Sequence, residues 1–181
     1  MIGVVGSGSA VDSFGANATD VELSRLEADA VDAADPDALI AVGERALIDL
    51  AAEAIDRPVL PTAVGAAGTA IDAVTGAAID RLARGDYRLL PWTVLGVWLG
   101  PDLAGRAVFD VMLVTTEPAR ISEYSIRAGD PVDRFRADGI VVATPAGSGG
   151  YANTAGGPVI SSTAEVVAVV PIAAFTRSEE H

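Results

Sequence analysis

Short apolar runs are spaced along the first half of the chain. Residues 2–5, 38–42 and 59–61 are each almost wholly apolar, and each is followed by a glycine or a short polar stretch. Runs of this length, bounded by glycine or proline, are typical of buried strands. The pattern therefore predicts three strands in the first 61 residues.

Segments with helical signals lie between and after these strands. Thr19 and Glu22 have the spacing of a capping box, which predicts a helix from Thr19 to about residue 31. Apolar positions recur at steps of three and four in residues 46–55 and 69–84, and Gly85 occupies the expected C-cap position after the second segment. Because strands alternate with helices, we expect a parallel sheet with helices on its faces.

The pattern changes after Gly85. Apolar, β-rich runs follow at residues 92–99, 107–115, 140–143 and 166–170, and only a short helical turn is expected near Tyr151. The predicted fold class is therefore α/β + β, with a parallel α/β domain over residues 1–85 followed by a mostly β domain over residues 86–181.

The composition suits a packed domain and excludes several classes of protein. Half of the residues are hydrophobic, yet no apolar run approaches the roughly 20 residues that a membrane span needs. The N-terminus lacks the basic segment of a signal peptide, so we interpret it as a first strand and expect a cytoplasmic protein. Its glycines at positions 3, 6 and 8 do not have the dinucleotide-binding spacing.

The charge of the chain is unusual. The formal net charge is -13, and all 12 basic residues are arginine. An acidic surface without lysine suits a protein that must stay soluble in concentrated salt, where its self-repulsion is screened. The alternative is a genome biased toward Ala, Val, Asp and Arg. Under either interpretation, nucleic acid and anionic membranes are not expected as partners, because both require a basic face.

Cysteine is absent, and His181 is the single histidine. Disulfides, thiolate metal sites and histidine-based catalysis are therefore not expected. The sequence predicts no metal site built from side chains alone.

The segment from Asp138 to Pro158 is the most informative. A predicted strand leads into Thr144-Pro145, a run dense in glycine follows, and Tyr151 comes directly after it. Glycines allow backbone amides to approach a ligand, small hydroxyls bind phosphate or ribose, and a tyrosine ring stacks on a base. Taken alone, the glycines also fit a tight cluster of β-turns.

The order of residues resembles the signature of the NAD kinase family. That signature reads Asp-Gly, a strand, Thr-Pro-Thr-Gly-Ser-Thr-Ala-Tyr, then Ser-Ala-Gly-Gly-Pro. Segments at residues 36–42, 58–68, 85–87 and 169–172 also look like family strands and turns, so the resemblance covers most of the chain from about residue 35. The matching positions are Asp138, Gly139, Thr144, Pro145, Gly147, Ser148, Tyr151, Ala155, Gly156, Gly157 and Pro158.

The resemblance implies an enzyme that transfers phosphate from ATP or polyphosphate to the 2′-hydroxyl of NAD, giving NADP. It also implies Mg²⁺ accompanying ATP, and a homo-oligomer. The NAD-binding residues carried over by position are Asp110, Asp138, Thr144, Gly147, Ser148, Gly149, Gly150, Tyr151 and Thr154.

The phosphate loop departs from the family. The family sequence Gly-Gly-Asp-Gly-Thr corresponds here to Val42-Gly43-Glu44-Arg45-Ala46. Glu44 stands at the catalytic carboxylate, with Gly43 and Arg45 as phosphate-binding residues. The alternative is that Glu44 and Arg45 are solvated charges at the start of a helix.

Other positions are also changed. Phe109-Asp110 is the best candidate for the family's Asn-Glu pair, with the carboxylate kept and the amide lost. The alternative is that Asp110 is an ordinary charge at a strand edge. Ala146 and Gly149 replace the two inner threonines of the signature, which removes side-chain hydrogen bonds. Family members usually run on beyond the position of Ile172, so we expect either a shortened chain or a trimmed architecture.

Three hypotheses follow. The first is an active NAD kinase. The second is a catalytically inactive paralogue that binds a nucleotide as a sensor or subunit. The third is a lipid kinase of the related superfamily, against which the match from Thr144 to Pro158 argues. The sequence leaves open the phosphate donor, NAD against NADH, and the number of subunits.

Overall fold

The computed structural model describes residues 1–6, 20–62, 74–116 and 121–175. The chain divides into two compact units, Met1–Val108 and Phe109–His181. The predicted boundary at Gly85 was drawn where the apolar pattern changes along the sequence, whereas these units are defined by packing, so the predicted domain assignment stays a prediction.

The first unit contains a four-stranded parallel sheet. Its strands are β1 (Ile2–Gly6), β2 (Leu23–Leu26), β3 (Ala38–Val42) and β4 (Val59–Thr62), in the order β2-β1-β3-β4. All five residues of β3 are buried, as expected for a central strand covered on both faces. The predicted parallel α/β fold is confirmed.

The helix predicted from Thr19 to residue 31 is wrong where the structure describes it. Residues Leu23–Leu26 form β2, which pairs in parallel with β1, and a short 3-10 helix (Ala28–Ala30) and helix α1 (Val31–Ala34) follow. Pairing with a buried neighbouring strand outweighs a local capping signal, because propensity is a weak prior. Thr19 itself lies outside the described residues.

Two longer helices complete the α/β layer. Helix α2 (Glu44–Ala52) begins directly after β3 and buries Ala46, Leu47 and Leu50. Helix α3 (Gly76–Ala83) is shorter than predicted, because Thr75 caps its start by accepting a 3.3 Å hydrogen bond at Oγ1 from the Ala78 N–H. Gly85 follows with a φ of +69°, which confirms the predicted C-cap. The turn predicted at Gly65 and Gly68 lies outside the described residues.

An antiparallel hairpin, β5 (Leu95–Leu99) and β6 (Asp102–Ala107), also belongs to the first unit. The Arg106 guanidinium donates a 3.4 Å hydrogen bond to the carbonyl of Ala52, at the end of α2. The run predicted as one strand over 107–115 is divided, since β6 ends at Ala107 and β7 begins at Asp110.

The second unit is mostly β. Strands β7 (Asp110–Val114), β10 (Gly139–Ala143) and β11 (Ala168–Ile172) form an antiparallel sheet in the order β11-β10-β7. Strands β8 (Ser122–Ala128) and β9 (Asp130–Ala137) form a hairpin in which the Tyr124 and Phe135 rings stack with centroids 5.9 Å apart.

Helix α4 (Tyr151–Thr154), the short turn expected near Tyr151, covers one face of this sheet through the buried Ala152. The residues that pack with it are Val141, Ala143, Ala168 and Val170. Strand β10 is central, so the loop that leaves its end is anchored in the core of the unit. None of the helices within the described ranges is long and apolar enough to cross a membrane.

Candidate functional site

The glycine loop of the second unit starts where β10 ends, and Thr144 fixes its first turn. Thr144 is fully buried. Its N–H and its hydroxyl both donate to the Phe109 carbonyl, at 2.9 and 3.0 Å, and the Gly147 N–H donates to Thr144 Oγ1 at 3.2 Å. The turn is therefore fastened to the residue that precedes β7.

Two glycines of the loop are required by packing. A Cβ atom on Gly147 would lie 2.1 Å from the Phe109 carbonyl oxygen, and one on Gly157 would lie 2.5 Å from Val170 Cγ2. Neither distance is compatible with a side chain. These glycines let the loop lie directly on its neighbours.

Ser148 is also fully buried. Its hydroxyl donates to the Pro145 carbonyl at 2.8 Å and accepts from the Ile160 N–H at 2.8 Å, and the Ile160 carbonyl lies 3.5 Å away. The side chain is therefore occupied by backbone groups of its own unit.

Solvent reaches the loop just after Ser148. Gly149 is exposed, Gly150 is half-buried, and Tyr151 keeps 43% of its surface exposed. Thr154 is exposed as well, and its hydroxyl lies 3.4 Å from the Gly150 carbonyl. The part of the loop open to a ligand is thus two glycine backbones, one phenol ring and one hydroxyl.

Asp110 lies beside the root of this loop. It pairs with Ala143 in the register between β7 and β10, one residue before Thr144. The carboxyl group is half-buried, and this burial raises its pKa above the ordinary value of 3.8. The structure therefore brings Asp110 together with the loop, as the sequence predicted.

Asp138 occupies the other end of β10. It is exposed, its N–H donates to the Ile172 carbonyl at 3.0 Å, and its own carbonyl accepts from Thr115. Five residues of extended chain lie between Asp138 and Thr144, and the six steps along the strand span roughly 20 Å. The structure does not bring Asp138 to the glycine loop.

In the first unit, Gly43 marks the carboxyl end of β3. The sheet order places β1 and β3 side by side at the point where the chain switches direction along the sheet, which is where α/β sheets bind ligands. Gly43 has a φ of +85°, and its N–H donates to the Thr62 carbonyl at 2.8 Å. At the end of β1, a Cβ atom on Gly6 would lie 2.6 Å from the Val42 carbonyl oxygen.

Glu44 and Arg45 form the exposed first turn of α2. The Arg45 guanidinium binds Asp49 at 2.9 Å, one helical turn later, and this hydrogen bond raises the pKa of Arg45. Arg45 has ordinary helical backbone, so an arginine at the family's glycine position introduces no strain. The positive φ belongs to Gly43, which is kept.

Two groups of the site escaped sequence analysis. The Phe109 carbonyl accepts both bonds from Thr144, and the Ile160 N–H binds Ser148. Both are backbone groups, which carry no signature in the sequence. Across the described part of the chain, no group of three or more His, Cys, Asp or Glu side chains could hold a metal ion.

The second unit matches a known family. Residues 110–181 match the model of the ATP-NAD kinase C-terminal domain. This match begins at Asp110 and includes the whole of the glycine loop.

Curated relatives extend the similarity toward the N-terminus. The chain is 37% identical over 102 residues to the NAD kinase of Methanothermobacter thermautotrophicus, which covers 56% of this chain and 36% of the relative. It is 34% identical over 124 residues to the NAD kinase of Methanosarcina acetivorans, which covers 67% of this chain and 45% of the relative. The matches thus span less than half the length of these relatives.

Solved structures share the fold. The NAD kinase of Archaeoglobus fulgidus, solved in complex with ATP, aligns over 99% of this chain and 74% of its own with a TM-score of 0.69 and 21% identity. The yeast NADH kinase, solved with NADH, aligns over 99% and 67% with a TM-score of 0.72 and 16% identity. These solved structures show a shared fold. The family match at residues 110–181, together with the curated relatives, shows that the chain belongs to the NAD kinase family.

Proposed function

We propose that this chain phosphorylates NAD, transferring a phosphate group from ATP or polyphosphate to the 2′-hydroxyl of the adenosine ribose. The observation that carries the proposal is the glycine loop. Buried hydroxyls and close glycine contacts fix it, its Gly149–Tyr151 portion stays open, and Asp110 lies beside its root. Rigid, ligand-facing backbone of this kind is what a preorganised nucleotide site requires.

In the proposed complex NAD lies against the open part of this loop. The backbone of Gly149 and Gly150 allows close approach, and the Tyr151 ring provides a surface on which a base stacks. The Asp110 carboxylate accepts hydrogen bonds from a ribose hydroxyl or an amide group of NAD. Thr154 offers a further hydroxyl on the same short helix.

The phosphate donor lies at the start of α2. The first N–H groups of a helix have no acceptor within it, so those of Glu44, Arg45 and Ala46 are available to phosphate oxygens. Gly43 lacks a side chain, and among the described residues beyond its chain neighbours no atom lies within 4 Å of the place where its Cβ would be, which leaves room for a donor. Arg45 adds a positive charge. In the proposed complex its guanidinium releases Asp49 and binds phosphate instead.

The reaction forms one bond and breaks one. The 2′-oxygen of NAD attacks the terminal phosphorus of the donor in line, and the bond from that phosphorus to its bridging oxygen breaks, which releases ADP when ATP is the donor. Glu44 takes the proton of the 2′-hydroxyl as general base. Its exposed carboxylate is one methylene longer than the aspartate of the family.

A divalent metal is expected to accompany ATP. Mg²⁺ is commonly held by substrate phosphates with one or two carboxylates, so the site needs no cluster of acidic side chains, and the described residues contain none. Glu44 is the described carboxylate at the phosphate loop that fits this role. When bound, the metal would neutralise charge that develops on the transferred phosphate.

The alternative of an inactive, nucleotide-binding paralogue receives no support from the comparisons, since the matched relatives and structures are named as kinases. The altered residues at the phosphate loop also fit their helix without strain. We further propose that the protein works in the cytoplasm, in concentrated salt, as a homo-oligomer.

A coupled assay tests the proposal. The purified chain is incubated with Mg²⁺, NAD and either ATP or polyphosphate in molar KCl, and NADP is detected with an NADP-specific dehydrogenase. We expect NADP to form with at least one donor, and the Glu44→Ala variant to lose it. The proposal fails if the wild-type chain makes no more NADP than this variant. Replacing NAD by NADH in the same assay decides the redox form.

A further inference from the structure

The Ser148 side chain is fully buried, whereas a side chain that contacts a ligand is expected to be accessible. We infer that it is a positioning residue, which sets the ligand-facing backbone of Gly149 and Gly150 without touching the nucleotide. The inference rests on the function proposed above and assigns this residue a different role from the contact that the family signature implies.

The geometry leaves the Ser148 hydroxyl no capacity for a ligand. A serine hydroxyl has one proton to donate, and here it goes to the Pro145 carbonyl at 2.8 Å. Its lone pairs receive the Ile160 N–H at 2.8 Å, and the residue has no exposed surface. A nucleotide could reach this oxygen only if both bonds and the surrounding packing were broken.

Its position along the loop gives these bonds a function. Thr144 fastens the start of the loop to Phe109, and Ser148 fastens its next turn to Ile160, twelve residues further along the chain. The exposed backbone begins at the very next residue, Gly149. Glycines have more conformational freedom than any other residue, so a fixed point directly before two of them limits what must be ordered when NAD binds.

Removing the Ser148 hydroxyl should therefore weaken NAD binding indirectly. The Ile160 N–H and the Pro145 carbonyl lose their partner, and Gly149 and Gly150 gain freedom in the nucleotide-free protein. A direct contact would behave differently. Its loss would weaken binding without giving Gly149 and Gly150 more freedom in the nucleotide-free protein.

The test compares two variants with a matched control. Ser148→Ala removes the hydroxyl, and Ser148→Cys keeps most of the side-chain volume but provides only a weak donor. Ser161→Ala makes the same chemical change at an exposed serine of the segment after the loop, where the hydroxyl meets Thr163 at 3.1 Å. Calorimetry measures Kd for NAD and for ATP. Hydrogen exchange without nucleotide measures protection of the Ile160 amide and of the Gly150 amide, which donates to the Gly147 carbonyl at 3.0 Å and should also exchange faster if Ser148 fixes this backbone.

We expect the Kd for NAD to rise about tenfold in both Ser148 variants, the free-energy equivalent of one lost hydrogen bond. The Kd for ATP should not change, the Ile160 amide should exchange faster, and Ser161→Ala should match the wild type in all three measurements.

The inference is overturned if NAD binding is unchanged in both variants, if NAD and ATP weaken equally, or if Ile160 keeps its protection while NAD binding falls. Failure of both variants to fold also overturns it, since the side chain would then support the whole unit. A wild-type chain that binds no NAD contradicts the proposed function itself, which is a separate result.

Discussion

The loop after β3 and the glycine loop after β10 are built in opposite ways. In the second unit, the loop after β10 is held by contact: Gly147 lies on the Phe109 backbone, and the hydroxyls of Thr144 and Ser148 are buried. In the first unit, the loop after β3 is held by conformation. Gly43 adopts a positive φ, its Cβ position meets no neighbour in the part of the chain that the structure describes, and Glu44 and Arg45 are exposed.

This difference accounts for where the sequence keeps the family pattern and where it departs. At Gly147 and Gly157 any side chain would collide with neighbouring atoms, and both glycines match the signature. At Glu44 and Arg45 the fold imposes little on the side chain, and both differ from the family. A strong match to the signature therefore reflects the packing of the loop at least as much as NAD binding.

The largest effect on the comparison of the two loops is expected at Gly147, in the loop that is held by contact. We expect Gly147→Ala to destabilise the protein by about 3–5 kcal/mol, because the new Cβ would lie 2.1 Å from a backbone oxygen that β7 holds in place. Urea unfolding followed by circular dichroism measures this. Gly105→Ala is the control, since no atom of the described residues beyond its chain neighbours lies within 4 Å of its Cβ position. Equal stability of the two variants would show that the loop is not held by contact.

The first-unit loop should respond in activity rather than in stability. We expect Glu44→Gln to reduce NADP formation by about a hundredfold or more, as the loss of a general base does, with an unchanged unfolding midpoint. Glu53→Gln removes an exposed carboxylate at the other end of α2 and should retain full activity. Comparable rates for Glu44→Gln and Glu53→Gln would remove Glu44 from the catalytic role.

Thr144→Val sharpens the contrast within the second unit. The substitution keeps the shape of the side chain and deletes the two hydrogen bonds of its hydroxyl, to the Phe109 carbonyl and from the Gly147 N–H, while the backbone bonds of residue 144 remain. We expect a loss of about 1–2 kcal/mol in the free energy of unfolding. Thr163→Val, at an exposed position, should change stability by less than about 0.5 kcal/mol. A Thr144→Val protein as stable as wild type would mean that these bonds contribute nothing net.

The elements that a local pattern specifies could be predicted from the sequence. The strands after Met1, Pro36-Asp37 and Pro58 were found because continuous apolar runs of this length are typical of buried strands. The glycine loop and Asp110 were found through resemblance, and the register between β7 and β10 places them together.

Elements and roles that depend on contacts with distant parts of the chain could not be predicted from the sequence. The β2 segment has only four residues and a capping signal before it, and its pairing with β1 decides its conformation. The β8–β9 hairpin has no long apolar run, and no strand was predicted there. The roles of Phe109 and Ile160 depend on backbone groups, which no residue type announces. The role of Ser148 depends on its burial, which the glycine-rich sequence around it conceals.

The smallest expected effect is at Asp110. There the test is whether stability falls or rises with pH. Burial raises its pKa in the folded protein above the ordinary value of 3.8, so the native state binds a proton more readily than the unfolded state. Wild-type stability should therefore fall as the pH rises from about 4 through the folded pKa, and Asp110→Asn should become the more stable protein over that window.

Urea midpoints of both proteins between about pH 3 and 7 measure this difference, with Asp102→Asn as a control that removes an exposed carboxylate. The gap between Asp110→Asn and wild type should close at the acid end. A gap that opens the other way, with wild type gaining stability as the pH rises, would mean that the fold favours the charged form of Asp110. The carboxylate would then be held by partners within the protein, and it would no longer be the free acceptor beside the loop that NAD binding requires.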